Sequence, residues 1–242
     1  MNNNHSKYIG NELDLFSGAF NWKKYWVNII KPYLGTHILD VGAGIGATAR
    51  ALSQFKCERY LALEPDAEFV SRMQQVNKQN KFNNNFECLV GNVGNLRIND
   101  YFDTILYIDV LEHIEKDKEE LAQVNKHLLP GGRIIVLSPA HQYLYSPFDK
   151  AIGHVKRYNK KSLLLAKPES LIVERMCYLD SIGLLANLGN RLILRASTPN
   201  ESQIRIWDHW LVPCSTVIDK VIGYRLGKSI LGIFRASTES TQ

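Results

Sequence analysis

The stretch Asp109–His113 sets two carboxylates and an imidazole, those of Asp109, Glu112 and His113, at positions i, i+3 and i+4. Carboxylate oxygens and imidazole nitrogens at that spacing can converge on one divalent cation, and a further histidine would complete the set. His154, in the run Gly153-His154-Val155-Lys156-Arg157-Tyr158, is the candidate. A bound Mg²⁺ or Zn²⁺ lowers the pKa of a hydroxyl and orients it. Without a metal, a positioned histidine can take the hydroxyl proton instead. Glu112, His113 and His154 are therefore the candidate catalytic residues and the candidate metal ligands. The plainer alternative is that these polar groups start a helix. Arg157 and Tyr158 are the candidate acceptor contacts, since a guanidinium there can pair with a phosphate, a carboxylate or a backbone carbonyl. A solvated basic loop is the plainer reading of that run.

A second motif is glycine-rich. In His37–Leu52 (HILDVGAGIGATARAL), Gly42, Gly44 and Gly46 follow an apolar run and precede a helical pattern. Glycines let the chain turn tightly and bring backbone amides close to a ligand. The helix N-terminus adds partial positive charge. Glu64 closes the next apolar run, where a carboxylate can accept both hydroxyls of a ribose. Gly42-x-Gly44-x-x-Ala47 also meets the dinucleotide fingerprint. Asp40 separates the two readings. Beside a loop built for pyrophosphate it would repel the anion. It suits a ligand bearing an ammonium and a sulfonium, as in S-adenosylmethionine, which is the expected cofactor. A nicotinamide dinucleotide and a purely structural glycine turn are the alternatives.

These residues need elements to position them. Strand candidates at 37–41, 60–64, 86–90, 104–108 and 133–137 alternate with helical patterns. Asp66 caps a helix bearing Phe69, Met73 and Val76. Asp117 and Glu120 have capping-box spacing before a helix carrying Leu121, Val124 and Leu128, which LPGG stops. Such alternation predicts a doubly wound, mainly parallel α/β sheet with ligands beyond the carboxyl ends of its strands. Trp22, Trp26, Ile29 and Tyr33 are spaced as one covering helix within Phe16–Tyr33, and the glycine-loop helix is expected to reach Phe55. Residues 138–161 lack periodicity and read as a lid or substrate loop. Residues 171–179 and 229–234 read as two more strands, with a partly helical insertion at 180–225.

The chain has 242 residues, 45% hydrophobic and 22% charged, enough for a full core and too apolar for disorder. Its formal net charge of +5 comes from scattered basic residues. No DNA partner is expected, and RNA is permitted rather than implied. Cys57, Cys88, Cys177 and Cys214 lie far apart and read as reduced structural thiols. The start MNNNHSKYIG lacks the apolar core of a signal peptide, and no membrane span is visible. The expectation is one cytoplasmic domain over 1–242: a cofactor half at 36–140, an acceptor-side loop at 139–162 and the insertion. The apolar segment 176–195 reads as a buried helix over the acceptor pocket, or as a membrane-surface segment meeting a lipid-linked acceptor.

In order along residues 36–140, LDVGAGIG, LALEPD, LVGNV, FDTILYIDVLEHI and LLPGGRIIVLSPA resemble the class I S-adenosylmethionine-dependent methyltransferases. The resemblance implies a Rossmann-like seven-stranded sheet with its last strand antiparallel. It implies that Asp40, Gly42, Gly44 and Gly46 hold the methionine part, Glu64 the ribose, and Asn92 and Val93 the adenine. Asn92 stands where many members have Asp. DVLEH is similar to a stretch of the ubiquinone-pathway O-methyltransferases, and of small-RNA 2′-O-methyltransferases that add a later histidine to grip a vicinal diol. Asp109 is one methylene shorter than the Glu found there, so a cofactor contact or a water-bridged role is expected of it. YIGNELDLFSGAFNWKKY, GHVKRYNKKSL and GYRLGKSILGIFRAS resemble a bacterial group associated with surface-polysaccharide assembly, with KPESLIVERM departing from it. The implied activity is methylation of a hydroxyl on a small-molecule, glycan or lipid-linked acceptor. RNA 2′-O-methylation would show a steep salt dependence. A non-catalytic cofactor-binding partner subunit would have no need of Glu112, His113 and His154.

Overall fold

The computed structural model describes residues 12–79, 82, 85–193 and 200–238. The apolar runs form β1 (His37–Val41), β2 (Arg59–Glu64), β3 (Phe86–Val90), β4 (Phe102–Ile108) and β5 (Leu128–Pro139). β6 (Leu171–Leu179) and β7 (Ser229–Ala236) follow. Together they make one seven-stranded sheet in the order β3-β2-β1-β4-β5-β7-β6. β1 to β5 pair in parallel, and β7 runs antiparallel to both β5 and β6. This is the expected Rossmann-like architecture. The order reverses at β1/β4, where Leu39 sits between Leu61 and Ile105. A crevice opens at the carboxyl ends of strands at such a switch point.

Helices cover both faces because each buries one apolar stripe. On one face α2 (Phe20–Ile30) packs Trp22, Tyr25, Trp26 and Ile29 with Met73 of α4 (Ala67–Asn77). On the other, α5 (Asp117–Val124) contributes Leu121 and Val124, and α7 (Lys160–Ala166) contributes Leu163 and Ala166.

Several boundaries differ from expectation. The helix predicted over Phe16–Tyr33 is α2, continued to Tyr33 only by a 3₁₀ turn, and a separate helix, α1 (Glu12–Ser17), precedes it. The Lys23 ammonium donates to the carbonyls of Phe16, Ser17 and Ala19 at 2.7, 3.0 and 3.4 Å, satisfying backbone groups that the break exposes. The helix after the glycine loop, α3 (Ala47–Ala51), stops short of Phe55. Asp117 is the first residue of α5 rather than its cap, because its carboxylate is taken by the Tyr158 hydroxyl at 2.7 Å and by Lys156 at 2.9 Å. Leu128 opens β5 instead of closing that helix.

Residues 138–161 are not irregular throughout. They hold a 3₁₀ turn at Gln142–Leu144 and α6 (Pro147–Ala151), capped reciprocally by Ser146 and Asp149. In the insertion, α8 (Ser181–Ile193) is followed by α9 (Glu201–Ile206), a π-helical turn at Trp207–Leu211 and α10 (Val212–Val221), the last three end to end. Buried carboxylates lock it to α2 and to itself. Asp180 accepts from Gly183 N, Ser215 Oγ and Trp207 Nε1, Asp219 from Tyr25 and two backbone amides, and Asp208 from the first amides of α2. The apolar segment 176–195 therefore divides: 176–179 finish β6, 181–193 form α8, and 194–195 lie outside the described residues. Among the described residues, no helix is long and apolar enough to cross a membrane. All four cysteines are free thiols, and Cys214 is exposed.

Candidate functional site

The glycine loop turns directly off β1. Gly42 (φ +66°) and Gly46 (φ +79°) are left-handed, and a Cβ at Gly42 would lie 2.8 Å from the Val110 side chain. Only glycine satisfies both demands. The Gly44 amide donates to Glu64 Oε2 at 2.8 Å, and the Asp66 amide donates to Glu64 Oε1 at 2.9 Å. Glu64 thus shapes the loop and keeps about two lone pairs for a ribose. Burial raises its pKa. Asp40 is 1% exposed and accepts from the Tyr60 hydroxyl at 2.8 Å. Loss of hydration raises its carboxyl to about 7 against that hydrogen bond, and the charge of Glu64 pushes the same way. Two neighbouring carboxyls that resist ionisation alone favour a cationic ligand.

The Asn92 side chain accepts from Gly94 N at 2.9 Å and so builds the turn Val93–Asn95. Val93 is buried, with its side chain in the core. Asp109 is left-handed (φ +55°) and exposed at the tip of β4, its amide tied to Leu137 O at 2.8 Å. The protein around the crevice raises the pKa of its carboxyl, countered by His154, Lys228 and Lys23. Sequence reading missed α1, which lies over the loop. Leu13 would be 3.4 Å from a Cβ on Gly44, and Asp14 pairs with Arg72 of α4 at 2.6 Å.

The predicted catalytic residues do converge. Glu112 is fully buried, and its Oε2 accepts from Ser138 Oγ at the end of β5. Its Oε1 has no hydrogen-bond partner and lies 3.7 Å from His154 Nε2. Burial, then the charge of Asp109, drive the Glu112 carboxyl well above its usual range. The His113 ring stands edge-on to His154 with centroids 4.6 Å apart. Burial, then His154, lower the pKa of His113 to about 4, so it is neutral near pH 7. One ligand atom from each of Glu112, His113 and His154 lies within 4.8 Å of the others.

His154 is held from behind. Its Nδ1 is 2.9 Å from Asp149 Oδ1, and Arg157 grips the same carboxylate through Nε and Nη2 at 2.8 and 2.9 Å. Burial alone would raise the Asp149 pKa, but bonds from His154, Arg157 and Ser146 outweigh it and hold the carboxyl well below its usual range. Asp149 was not among the sequence candidates; the signal for it was the Ser146-x-x-Asp149 box that fixes it on α6. Arg157 does pair with a carboxylate and reach a carbonyl (Ala140 O, 3.5 Å), but these partners are internal. Tyr158 is fully buried and donates to Asp117 and to Leu111 O. Both residues expected at the acceptor instead brace the frame around Glu112 and His154.

Comparison with known proteins agrees with this fold. Residues 39–136 match the family model described as a methyltransferase domain. The chain is 27% identical over 146 residues to the mitochondrial ubiquinone biosynthesis O-methyltransferase of Dictyostelium discoideum, covering 56% of this chain and 44% of that relative. It is 28% identical over 156 residues to the ubiquinone/menaquinone biosynthesis C-methyltransferase UbiE of Vibrio parahaemolyticus, covering 59% and 58%. Coclaurine N-methyltransferase, solved with N-methylheliamine and SAH, shares the fold with a TM-score of 0.60 at 15% identity, over 90% of this chain and 72% of that one. The chain spans about half the length of the curated relatives it matches.

Proposed function

We propose that this chain, a class I S-adenosylmethionine-dependent methyltransferase by fold and family match, methylates a hydroxyl of a small-molecule, glycan or lipid-linked acceptor. In this reading Glu112, His113 and His154 hold a divalent cation. The observation that carries it is the bare, buried Glu112 Oε1 at 3.7 Å from His154 Nε2. That gap is too long for a hydrogen bond. It is close to the spacing of two ligands on one ion with bonds of about 2.1 Å. Two imidazoles and a carboxylate suit Zn²⁺ better than Mg²⁺. The bond from His154 Nδ1 to Asp149 is the outer contact that orients a ligating histidine.

When bound, the cation lowers the pKa of the acceptor hydroxyl and orients it. With its proton lost to solvent, or to His154 when no cation is held, the hydroxyl oxygen would take the donor methyl in line as the carbon–sulfur bond breaks and S-adenosylhomocysteine leaves. A metal-free second reading is favoured by the same Asp149 bond. With its proton on Nδ1, His154 has Nε2 free to accept the hydroxyl proton. Relatives methylate O, C and N, and the buried proton-handling pair supports oxygen, since an alcohol must lose its proton and an amine need not.

The test is labelled-methyl transfer to sugars, phenols, lipid-linked glycans and RNA, with EDTA and with Zn²⁺ or Mg²⁺ restored. Transfer to a hydroxyl, lost in EDTA and restored by Zn²⁺, is the expected result. Transfer unaffected by EDTA selects His154 as base. Transfer only to amines or carbon overturns the assignment.

A further inference from the structure

The helix formed by α9, the π turn and α10 is inverted in one respect. Its acids Asp208 and Asp219 point inward, while its outer side carries apolar residues. Ile206, Trp210, Val217 and Val221 are 56%, 66%, 63% and 82% exposed. Their spacing, with the π turn taken into account, puts them in one row along the outer face. Ile218 and Leu226 are exposed too, the one beside the row and the other past the end of α10. Scattered exposed apolar residues need no explanation, but a continuous ridge does.

The charges around the ridge say what covers it. Arg205, Lys220 and Arg225 are exposed beside it, and Glu201 is the one exposed acid of residues 201–221. An apolar row with an exposed indole and basic flanks is the surface that lies in the headgroup region of an anionic bilayer. A second copy fits poorly. A two-fold interface presents the same patch from both sides, so it would set these basic flanks against each other. The inner side of the same helix backs the site: the Lys228 ammonium sits 3.6 Å from the Trp207 ring centroid, and it influences Asp109 electrostatically.

We infer that the ridge Ile206–Trp210–Val217–Val221 seats this protein on an anionic lipid surface. The inference is independent of the acceptor and of the metal. It moves the membrane contact from segment 176–195 to the outer face of 206–226.

Vesicle co-sedimentation and tryptophan emission test it. Of the four tryptophans only Trp210 is exposed, so a blue shift reports its burial. Binding and a blue shift are expected with phosphatidylcholine–phosphatidylglycerol vesicles and not with phosphatidylcholine alone. Arg205→Gln with Lys220→Gln should weaken binding about thirtyfold. Trp210→Ser and, separately, Val217→Ser should weaken it with methyl-donor binding unchanged, which shows that each variant is folded. No pelleting with anionic vesicles, equal pelleting with neutral ones, or a dimer that shifts the emission without lipid each overturns the inference.

Discussion

At the tips of β1 and β2, Glu64 accepts from two backbone amides, those of Gly44 and Asp66. Beyond β4 and β5, Glu112 accepts from one side chain, Ser138, and leaves an oxygen bare against His154. The first carboxylate is fixed by the loop that it shapes. The second is buried with a need unmet inside the protein. A bare buried carboxylate oxygen costs stability unless something pairs with it, as the proposed cation would. The cofactor side is thus preformed by local backbone. The side proposed for the acceptor is instead a set of side chains from separate elements.

Four measurements bear on that contrast. Glu112→Gln keeps the size but cannot ionise to meet a cation. Turnover should fall about a thousandfold, with calorimetric affinity for S-adenosylmethionine unchanged. An equal loss of cofactor binding would erase the distinction between the two sides. Asp149→Asn should lower cation affinity or turnover about ten- to a hundredfold and move the pH–rate profile, because it loosens the orientation of His154 without touching substrate.

The third concerns Asp40, raised to about 7. A cationic ligand favours its ionised form. Affinity for S-adenosylmethionine should therefore fall about tenfold per unit as pH drops below about 7 and level off above it, measured by calorimetry across pH. A flat profile would mean that Asp40 stays ionised in the free protein. The smallest effect belongs to Tyr60→Phe. It should cost about 1 kcal/mol in a denaturant melt and move that pH midpoint upward, since Tyr60 supplies the one bond holding the Asp40 pKa down.

The same contrast explains what could be read from residues alone. Asp40, the three glycines and Glu64 lie in two short runs that bond to each other across the adjacent strands β1 and β2, so each run is recognisable by its own spacing. Glu112, His113 and His154 were legible as types that suit one ion, and the fold brings them together. Their support was not. Asp149, Arg157 and Ser138 act across turns whose geometry depends on α6 and on the end of β5. Tyr158 shows the cost of reading residue type without burial: a tyrosine in a polar loop suggested acceptor contact, yet its hydroxyl is drawn to Asp117. That pull also displaced the expected cap of α5. The break at Gly18–Ala19 was hidden for a similar reason, because aromatic spacing says which face is buried and not where the helix begins.

The placement of β7 bears on how the molecule comes into being. It is the last strand of the described chain, yet it fills the slot between β5 and β6, and β6 has no other neighbour in the sheet. On a ribosome, β1 to β5 emerge early and can close the crevice around the glycine loop. β6 and the helices after it must wait for residues 229–236. Ala140, which leads into the loop carrying His154, also waits, since its amide bonds to Lys228 O at 2.8 Å. A chain stalled before residue 229 would carry a finished cofactor crevice and an unfinished acceptor side.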